Sequence, residues 1–227
     1  MNVYAIAPLI AVIAYIPLLI TTAFSRPWQK RYTLFVLFII AAIIWSTIDI
    51  FLRIDFFPNN EYIPFKLIVI SYSFMVVQLH LFTSSFFPKG VGRWLPFSYG
   101  SFIFIALIVG LGYISGDVTG SNGIIDVGYT WQIIFVFVPL IILAARNYYV
   151  FIKMSKHLNN PVLYNQVITL LIAIGVITTS TIASLFPAGD AFPIPHYGSL
   201  INAFILSYAV IRHQLVDIKI VIMRSTA

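Results

Sequence analysis

The sequence predicts an all-α membrane protein, a polytopic bundle of seven transmembrane helices. Of its 227 residues, 60% are hydrophobic and 9% are charged, and the mean hydropathy is +0.98, whereas soluble domains carry about 25% charged residues. Apolar runs long enough to cross a bilayer recur along the whole chain, and basic residues collect in alternate connections between them. Together these observations leave no segment large enough for a separate soluble domain.

Each predicted helix is an uninterrupted apolar run of about 20 residues, the length that crosses a bilayer. Residues that favour turns, or charged residues, separate the runs. The longest connection, 116–129, is predicted to be an outer loop that can act as a lid. The spacing of Asp117 and Asp126 in it does not follow a calcium-binding loop. The predicted spans are 3–24, 32–52, 66–87, 94–115, 130–152, 162–186 and 195–212.

The distribution of charge predicts the orientation of the bundle. Eleven of the 13 basic residues fall on one side if successive connections alternate, and Arg53 and Lys66 fall on the other. Because positive charge marks the cytoplasmic side, we expect the N-terminus outside and the C-terminus in the cytoplasm. The same rule accounts for the net charge of +6, so no nucleic-acid partner is predicted.

The residues that catalysis or cofactor binding would require do not form a recognisable pattern. The chain has no cysteine, which excludes disulfides, thiolate metal sites and a catalytic thiol. The four histidines are scattered, and every lysine lies at a helix end or in a connection, which argues against a retinal-type Schiff base. We therefore predict that this chain is not an enzyme and has no catalytic residues, no metal site and no cofactor.

Polar residues in the outer half of the bundle form the candidate ligand-binding site. Trp45, Asp49 and Arg53 follow one another at intervals of four residues, so they share one face of the second helix, where Asp49 and Arg53 can pair. Either this face lines a pocket for a small polar or amphipathic ligand, or it is a hydrogen-bonded polar plug. The other candidates for ligand binding are Tyr72, Trp131, Gln132, His196 and Asn202.

The last 20 residues extend the seventh span beyond the predicted membrane boundary. Leu215, Ile218 and Ile222 recur at helical spacing among polar residues, an amphipathic pattern typical of an interfacial or partner-binding helix. We therefore divide the chain into a membrane domain, 1–213, and a juxtamembrane helix, 214–227. The abrupt end of this helix suggests a membrane domain cut before a cytoplasmic output domain.

Two motifs resemble the N-terminal seven-transmembrane region of bacterial and archaeal sensor histidine kinases. One is YAVIRHQLVDI, which begins at Tyr208, and the other is IWSTIDI, which contains Trp45. Met223 departs from the arginine that is more usual before Arg224. The chain contains neither a phosphoacceptor histidine segment nor a glycine-rich ATP lid, so catalysis would have to reside beyond residue 227.

The resemblance implies a multi-pass sensor domain in a prokaryotic inner (cytoplasmic) membrane. It would bind an unknown small-molecule or lipid-like ligand among the membrane lipids and act as a homodimer. A kinase domain in the same polypeptide would receive the signal. The residues implied in transmission are Arg212, His213, Asp217 and Lys219.

Two other functions are compatible with the same residues. In a small-molecule or lipid transporter, Asp49 and Arg53 would line a translocation path with polar residues of spans three and seven. In a structural subunit, side chains would fill the outer half and the bundle would pack against other membrane proteins.

Overall fold

The computed structural model describes residues 3–25, 29–57, 61–86, 90–121, 124–155, 161–183 and 194–212. Short 3-10 turns, Val3–Ala5 and Trp131–Ile133, precede the first and fifth helices. Within the described ranges, seven helices are long and apolar enough to cross a membrane, in agreement with the predicted count. They are α1 (Ile6–Ala23), α2 (Lys30–Arg53), α3 (Tyr62–Ser84), α4 (Gly90–Leu111), α5 (Ile134–Ser155), α6 (Pro161–Ala183) and α7 (Ile194–Arg212).

The predicted boundaries of α3 and α4 are displaced from the observed ones by about one turn. Helix α3 begins at Tyr62 and includes Pro64, because proline is tolerated in the first turn of a helix, where its missing N–H has no partner in any case. Helix α4 ends at Leu111, four residues before its predicted end. Gly112 follows with a φ of +85°, a left-handed conformation that terminates the helix.

The connection after α4, which we expected to be an irregular loop, contains an antiparallel hairpin. Strand β1 (Ser115–Ser121) pairs with β2 (Ile124–Tyr129), and Ser121 is opposite Ile124. The two residues between these partners in the sequence are Asn122 and Gly123, the dipeptide that two-residue hairpin turns favour. This signal was present in the sequence and identifies the hairpin.

Six of the helices form a closed ring, and α4 lies outside it. Helix α2 packs against α1 and α3, α5 packs between α3 and α6, and α7 closes the ring against α6 and α1. Helix α4 packs mainly against α3. We call the end where α2, α4 and α6 finish the outer end, following the predicted orientation.

The interior of the ring is apolar and rich in aromatic side chains. Tyr15, Phe35, Phe38 and Phe82 are among its largest fully buried members, and the rings of Phe35 and Phe82 stack 4.7 Å apart. The opposite faces of the helices expose isoleucine, leucine and phenylalanine side chains. A bundle that is apolar both inside and outside suits lipid surroundings rather than water.

Small residues bring neighbouring helices close together at two places. A Cβ on Gly198 of α7 would overlap the side chain of Ser180 on α6, and a Cβ on Gly175 of α6 would lie 2.9 Å from the Tyr148 hydroxyl of α5. By contrast, a Cβ on Gly110 of α4 would meet open space. Gly175 and Gly198 therefore allow helices of the same bundle to pack closely, as small residues do in membrane helices.

Part of the predicted transmission segment lies outside the described residues. Arg212 is the last residue of α7 and is exposed. His213, Asp217 and Lys219 all follow the last described residue, as does the predicted juxtamembrane helix, 214–227.

Candidate functional site

The charged pair predicted on α2 forms and is buried. The Nε of Arg53 donates a hydrogen bond of 2.6 Å to Oδ2 of Asp49, and the two residues are only 7% and 4% exposed. Their spacing of four residues places both side chains on one face of α2. A buried carboxylate is costly without compensation, and the guanidinium supplies the opposite charge and a donor.

A second donor reaches the same carboxylate oxygen from α7. The Nε2 of His196 lies 3.1 Å from Oδ2 of Asp49, and its Nδ1 lies 3.5 Å from the Ser46 hydroxyl. This network favours a proton on Nε2, which leaves Nδ1 to accept from Ser46. Asp49 therefore ties α7 to α2 near the outer end of the bundle.

Trp45 covers the imidazole of His196. The two rings are stacked with centroids 4.0 Å apart and an interplanar angle of 18°. The other close aromatic partner of Trp45 is Tyr72 of α3, at 5.3 Å and 56°. The Tyr72 hydroxyl in turn hydrogen-bonds to that of Thr181 on α6. Side chains of four helices thus meet in one contiguous cluster.

An outer cavity lies beside this cluster. Its volume is about 150 Å³, or about 640 Å³ when the part open to the surroundings is counted. Trp45, Tyr72 and Pro195 line one side, and apolar residues of α3 and α5 line most of the rest. Asp49, Arg53 and His196 are not in the lining. The cavity therefore presents an apolar, aromatic wall, rather than the polar stripe that we expected.

The remaining predicted site residues lie apart from the cavity. Trp131 is 68% exposed and packs against Phe135. Gln132 is half-buried and does not line the cavity, although its neighbour Ile133 does. Asn202 is fully buried, and its amide nitrogen donates to the Tyr15 hydroxyl of α1 at 3.2 Å.

Two buried polar clusters were missed by the sequence reasoning. Tyr15 donates to the Ser199 carbonyl oxygen at 3.0 Å and accepts from the Ser199 hydroxyl at 3.1 Å, which joins α1 to α7. The imidazole Nδ1 of His80 lies 2.8 Å from Asn147 Oδ1, which also accepts a hydrogen bond from Thr83. A polar residue in the middle of an apolar span was the available signal for each cluster.

Comparison with known proteins adds no family assignment. No protein-family model matches the chain, and no match was found among curated proteins. The function must therefore be argued from the site and from the two motifs.

The site places an apolar cavity beside a buried charged cluster. Among the described residues, no group of three or more histidine, cysteine, aspartate or glutamate side chains could hold a metal ion. The Asp49 carboxylate is engaged by two cationic or polar donors, and Trp45 stands between it and the cavity. A ligand in the cavity would contact the indole directly and the charged cluster only through it.

Proposed function

We propose that this chain is the membrane receptor domain of a signal-transducing histidine kinase in a prokaryotic inner membrane. It binds a small ligand in the outer cavity and passes a conformational change to a cytoplasmic output domain. The architecture supports a multi-pass membrane protein. The motifs that begin at Tyr208 and surround Trp45 support the kinase association.

One observation carries this proposal, the position of Trp45 between the cavity and α7. Its indole lines the cavity and also stacks on His196, which Asp49 holds against α2. Helix α7 leads directly into the tail that carries the motif. A ligand that displaces Trp45 would therefore disturb His196, which lies in the first turn of α7, two residues after Ile194.

Signalling through this contact requires two states of the bundle with similar free energies. The ligand shifts the populations only if it binds one state more tightly, and a change from 1:99 to 99:1 needs about 5.5 kcal/mol of differential affinity. The rigid part is the paired Asp49 and Arg53 on α2. The part that moves is α7, whose His196 contacts α2 through the stacked ring of Trp45 and through the polar side chains of Asp49 and Ser46.

The lining of the cavity indicates the kind of ligand that it accepts. Apolar and aromatic side chains make up most of the wall, and the hydroxyl groups of Tyr72 and Thr181 already bond to each other. A molecule whose part inside the cavity is largely apolar and carries no formal charge matches this wall. The sequence had suggested a polar or amphipathic ligand, and the cavity favours the amphipathic class.

The first test is the intact mass of the natively expressed protein. We expect a mass well above the 25.6 kDa of this chain, because the proposal requires a kinase domain in the same polypeptide. A native product of 25.6 kDa would contradict the proposal.

The second test is autophosphorylation of that longer protein in membrane vesicles. Trp45→Leu and the pair Asp49→Asn with Arg53→Gln should each change the basal rate. Ile44→Ala should leave it unchanged, because Ile44 is adjacent in sequence but 47% exposed on the outside of the bundle. Equal rates in all these variants would remove the cluster from the mechanism. Chemical cross-linking of the same vesicles tests the proposed homodimer.

A second candidate function is a small-molecule or lipid transporter. It is favoured by a second cavity, between α3, α5 and α6, which shares Tyr72 and Thr181 with the outer one. Two cavities in series, separated by one hydrogen bond, resemble a gated path. Counterflow of a labelled fatty acid in liposomes, absent from protein-free liposomes, would support transport over sensing.

A further inference from the structure

The second cavity, which we call the inner cavity, extends from the outer one toward the cytoplasmic end. Its lining on α5 is Phe137, Leu140, Ile141, Ala144 and Asn147, spaced at three or four residues and therefore on one helix face. The opposite walls come from α3 and α6. The cavity therefore runs parallel to the helices.

The inner cavity is narrow. Its volume is about 60 Å³, and the cleft measures about 600 Å³ when the part open to the surroundings is counted. Ten residues of α5 separate Phe137 from Asn147, a distance of about 15 Å along the helix. The cleft is therefore elongated along the helices, and a linear chain matches that shape better than a compact ring system.

The polar groups in the lining of the inner cavity already have partners. Tyr72 bonds to Thr181, Asn147 bonds to His80 and Thr83, and Thr178 bonds to Tyr148. Water needs polar partners to occupy a cavity, and apolar cavities stay dry. The occupant therefore contributes methylene groups rather than hydrogen bonds.

We infer that the two cavities together bind one extended acyl chain. The outer cavity, which includes Ile133, receives the end near the headgroup, and the chain passes Phe137 and Leu140 to reach Asn147. From Ile133 to Asn147 the path is about 21 Å long, which suits a chain of about 16 carbons in a hydrocarbon core about 30 Å thick. This inference names the ligand class of the proposed receptor and rests on that function.

Helix α5 is placed to admit such a chain from the bilayer. Only 22% of the residues in its 18-residue apolar stretch are buried inside the bundle, compared with 50% for the corresponding stretches of α2 and α3. Ile141 lines the inner cavity and is also 53% exposed, so the cleft reaches the lipid-facing surface. A chain from a membrane lipid and a chain from a free fatty acid have the same access.

Photo-cross-linking tests the inference. The probe is palmitate with a diazirine in the middle of its chain, added to liposomes that contain the purified protein. We expect labelling of Val76, Ala144 and Ile177, which line the inner cavity, and competition by unlabelled palmitate. The same labelled chain on phosphatidylcholine is the second arm. Labelling by both probes supports the inference and shows that a membrane lipid can supply the chain. Labelling by palmitate alone supports the inference with a free amphiphile as the source of the chain.

Matched variants separate the cavity from the lipid-facing surface. Ala144→Phe fills the inner cavity and should reduce cross-linking there by at least tenfold. Ala145→Phe, at the neighbouring exposed position, should leave it unchanged. Ala144→Leu is a smaller filling that serves if the phenylalanine variant does not fold. A short octanoate probe should still label the outer cavity in all three variants.

Non-saturable labelling of exposed residues such as Ile142 and Phe104, equal in the wild type and in Ala144→Phe, would overturn the inference. The receptor function would survive that result, because its test is the phosphorylation rate of the Trp45 variant. Loss of octanoate labelling in the outer cavity, together with a phosphorylation rate that the Trp45 variant leaves unchanged, would count against both the inference and the receptor function.

Discussion

The indole of Trp45 and the imidazole of His196 are stacked 4.0 Å apart, and this contact joins the outer cavity to α7. Behind the stack, His196 and Arg53 share one carboxylate oxygen of Asp49. Trp45 thereby separates a buried charged cluster from an apolar cavity. A stacked ring is a suitable coupling element, because its displacement changes both sides together.

Two substitutions at His196 separate the hydrogen bond from the stacked ring. His196→Phe keeps an aromatic ring under Trp45 but removes the donor to Asp49, and His196→Gln keeps an amide donor but removes the ring. We expect the phenylalanine variant to lose about 2 kcal/mol, since Asp49 would lose a charge-assisted hydrogen bond. Denaturant titration in mixed micelles measures the loss. A phenylalanine variant as stable as the wild type would show that Arg53 alone suffices for Asp49.

The Asp49 and Arg53 pair should show strong coupling in a double-mutant cycle. Each single variant, Asp49→Asn or Arg53→Gln, leaves the other charge buried, and we expect each to lose about 3 kcal/mol of stability. The double variant should lose clearly less than the sum, because no uncompensated charge remains. Denaturant titration of the four proteins checks this, and additive losses would contradict it.

The interaction of Asp49 with Arg53 could be predicted from the sequence, whereas its contact with His196 could not. The Asp49 and Arg53 interaction followed from helical spacing, since both residues lie on α2 and local geometry decides their distance. The contact with His196 spans about 150 residues of sequence and depends on how α7 closes the ring. The seven spans followed from hydropathy. A pocket in the outer half was one of two alternatives, and Trp45 and Tyr72 do line the outer cavity. Its apolar lining did not follow from the sequence, because it depends on how side chains of α3 and α5 fill the space between helices.

Gly112, directly after the last residue of α4, has little room for a side chain. Its φ of +85° disfavours any L-residue, and a Cβ there would lie 2.6 Å from the Tyr62 hydroxyl. Gly112→Ala should therefore cost about 2 kcal/mol of stability. Gly110→Ala is the matched control, because it has open space and alanine favours the helix. Thermal unfolding in detergent compares the two, and equal melting temperatures would contradict the prediction.

The close approach of α6 and α7 at Gly198 should also be testable by compensation. Gly198→Ala would force its methyl group into Ser180, and the resulting shift of α7 would move His196, two residues away. We expect a large loss of thermal stability. Ser180→Gly should restore much of it, whereas Ser180→Ala should restore less, since the Cβ of residue 180 is itself in the overlap. Failure of both to rescue would mean that the two helices do not meet at this position.

The two basic residues on the predicted outer side both have structural partners. Arg53 pairs with Asp49, and the ammonium group of Lys66 donates to the Gly110 carbonyl at 3.0 Å near the end of α4. Cations near a helix C-terminus interact favourably with its dipole. Their positions are thus explained by local interactions, and they do not weaken the orientation that the other eleven basic residues predict.

Single cysteines can test this orientation directly, because the 227 residues contain none. Asn122→Cys introduces a thiol between the two strands, on the predicted outer side, and Lys30→Cys introduces one at the exposed start of α2, on the predicted cytoplasmic side. In intact bacterial cells, a membrane-impermeant maleimide should label position 122 at once and position 30 only after permeabilisation. The reverse pattern would invert the bundle and place the outer cavity on the cytoplasmic side. Labelling of both sites in intact cells would place the start of α2 and the hairpin on the same side, which contradicts three membrane crossings, α2, α3 and α4, between them.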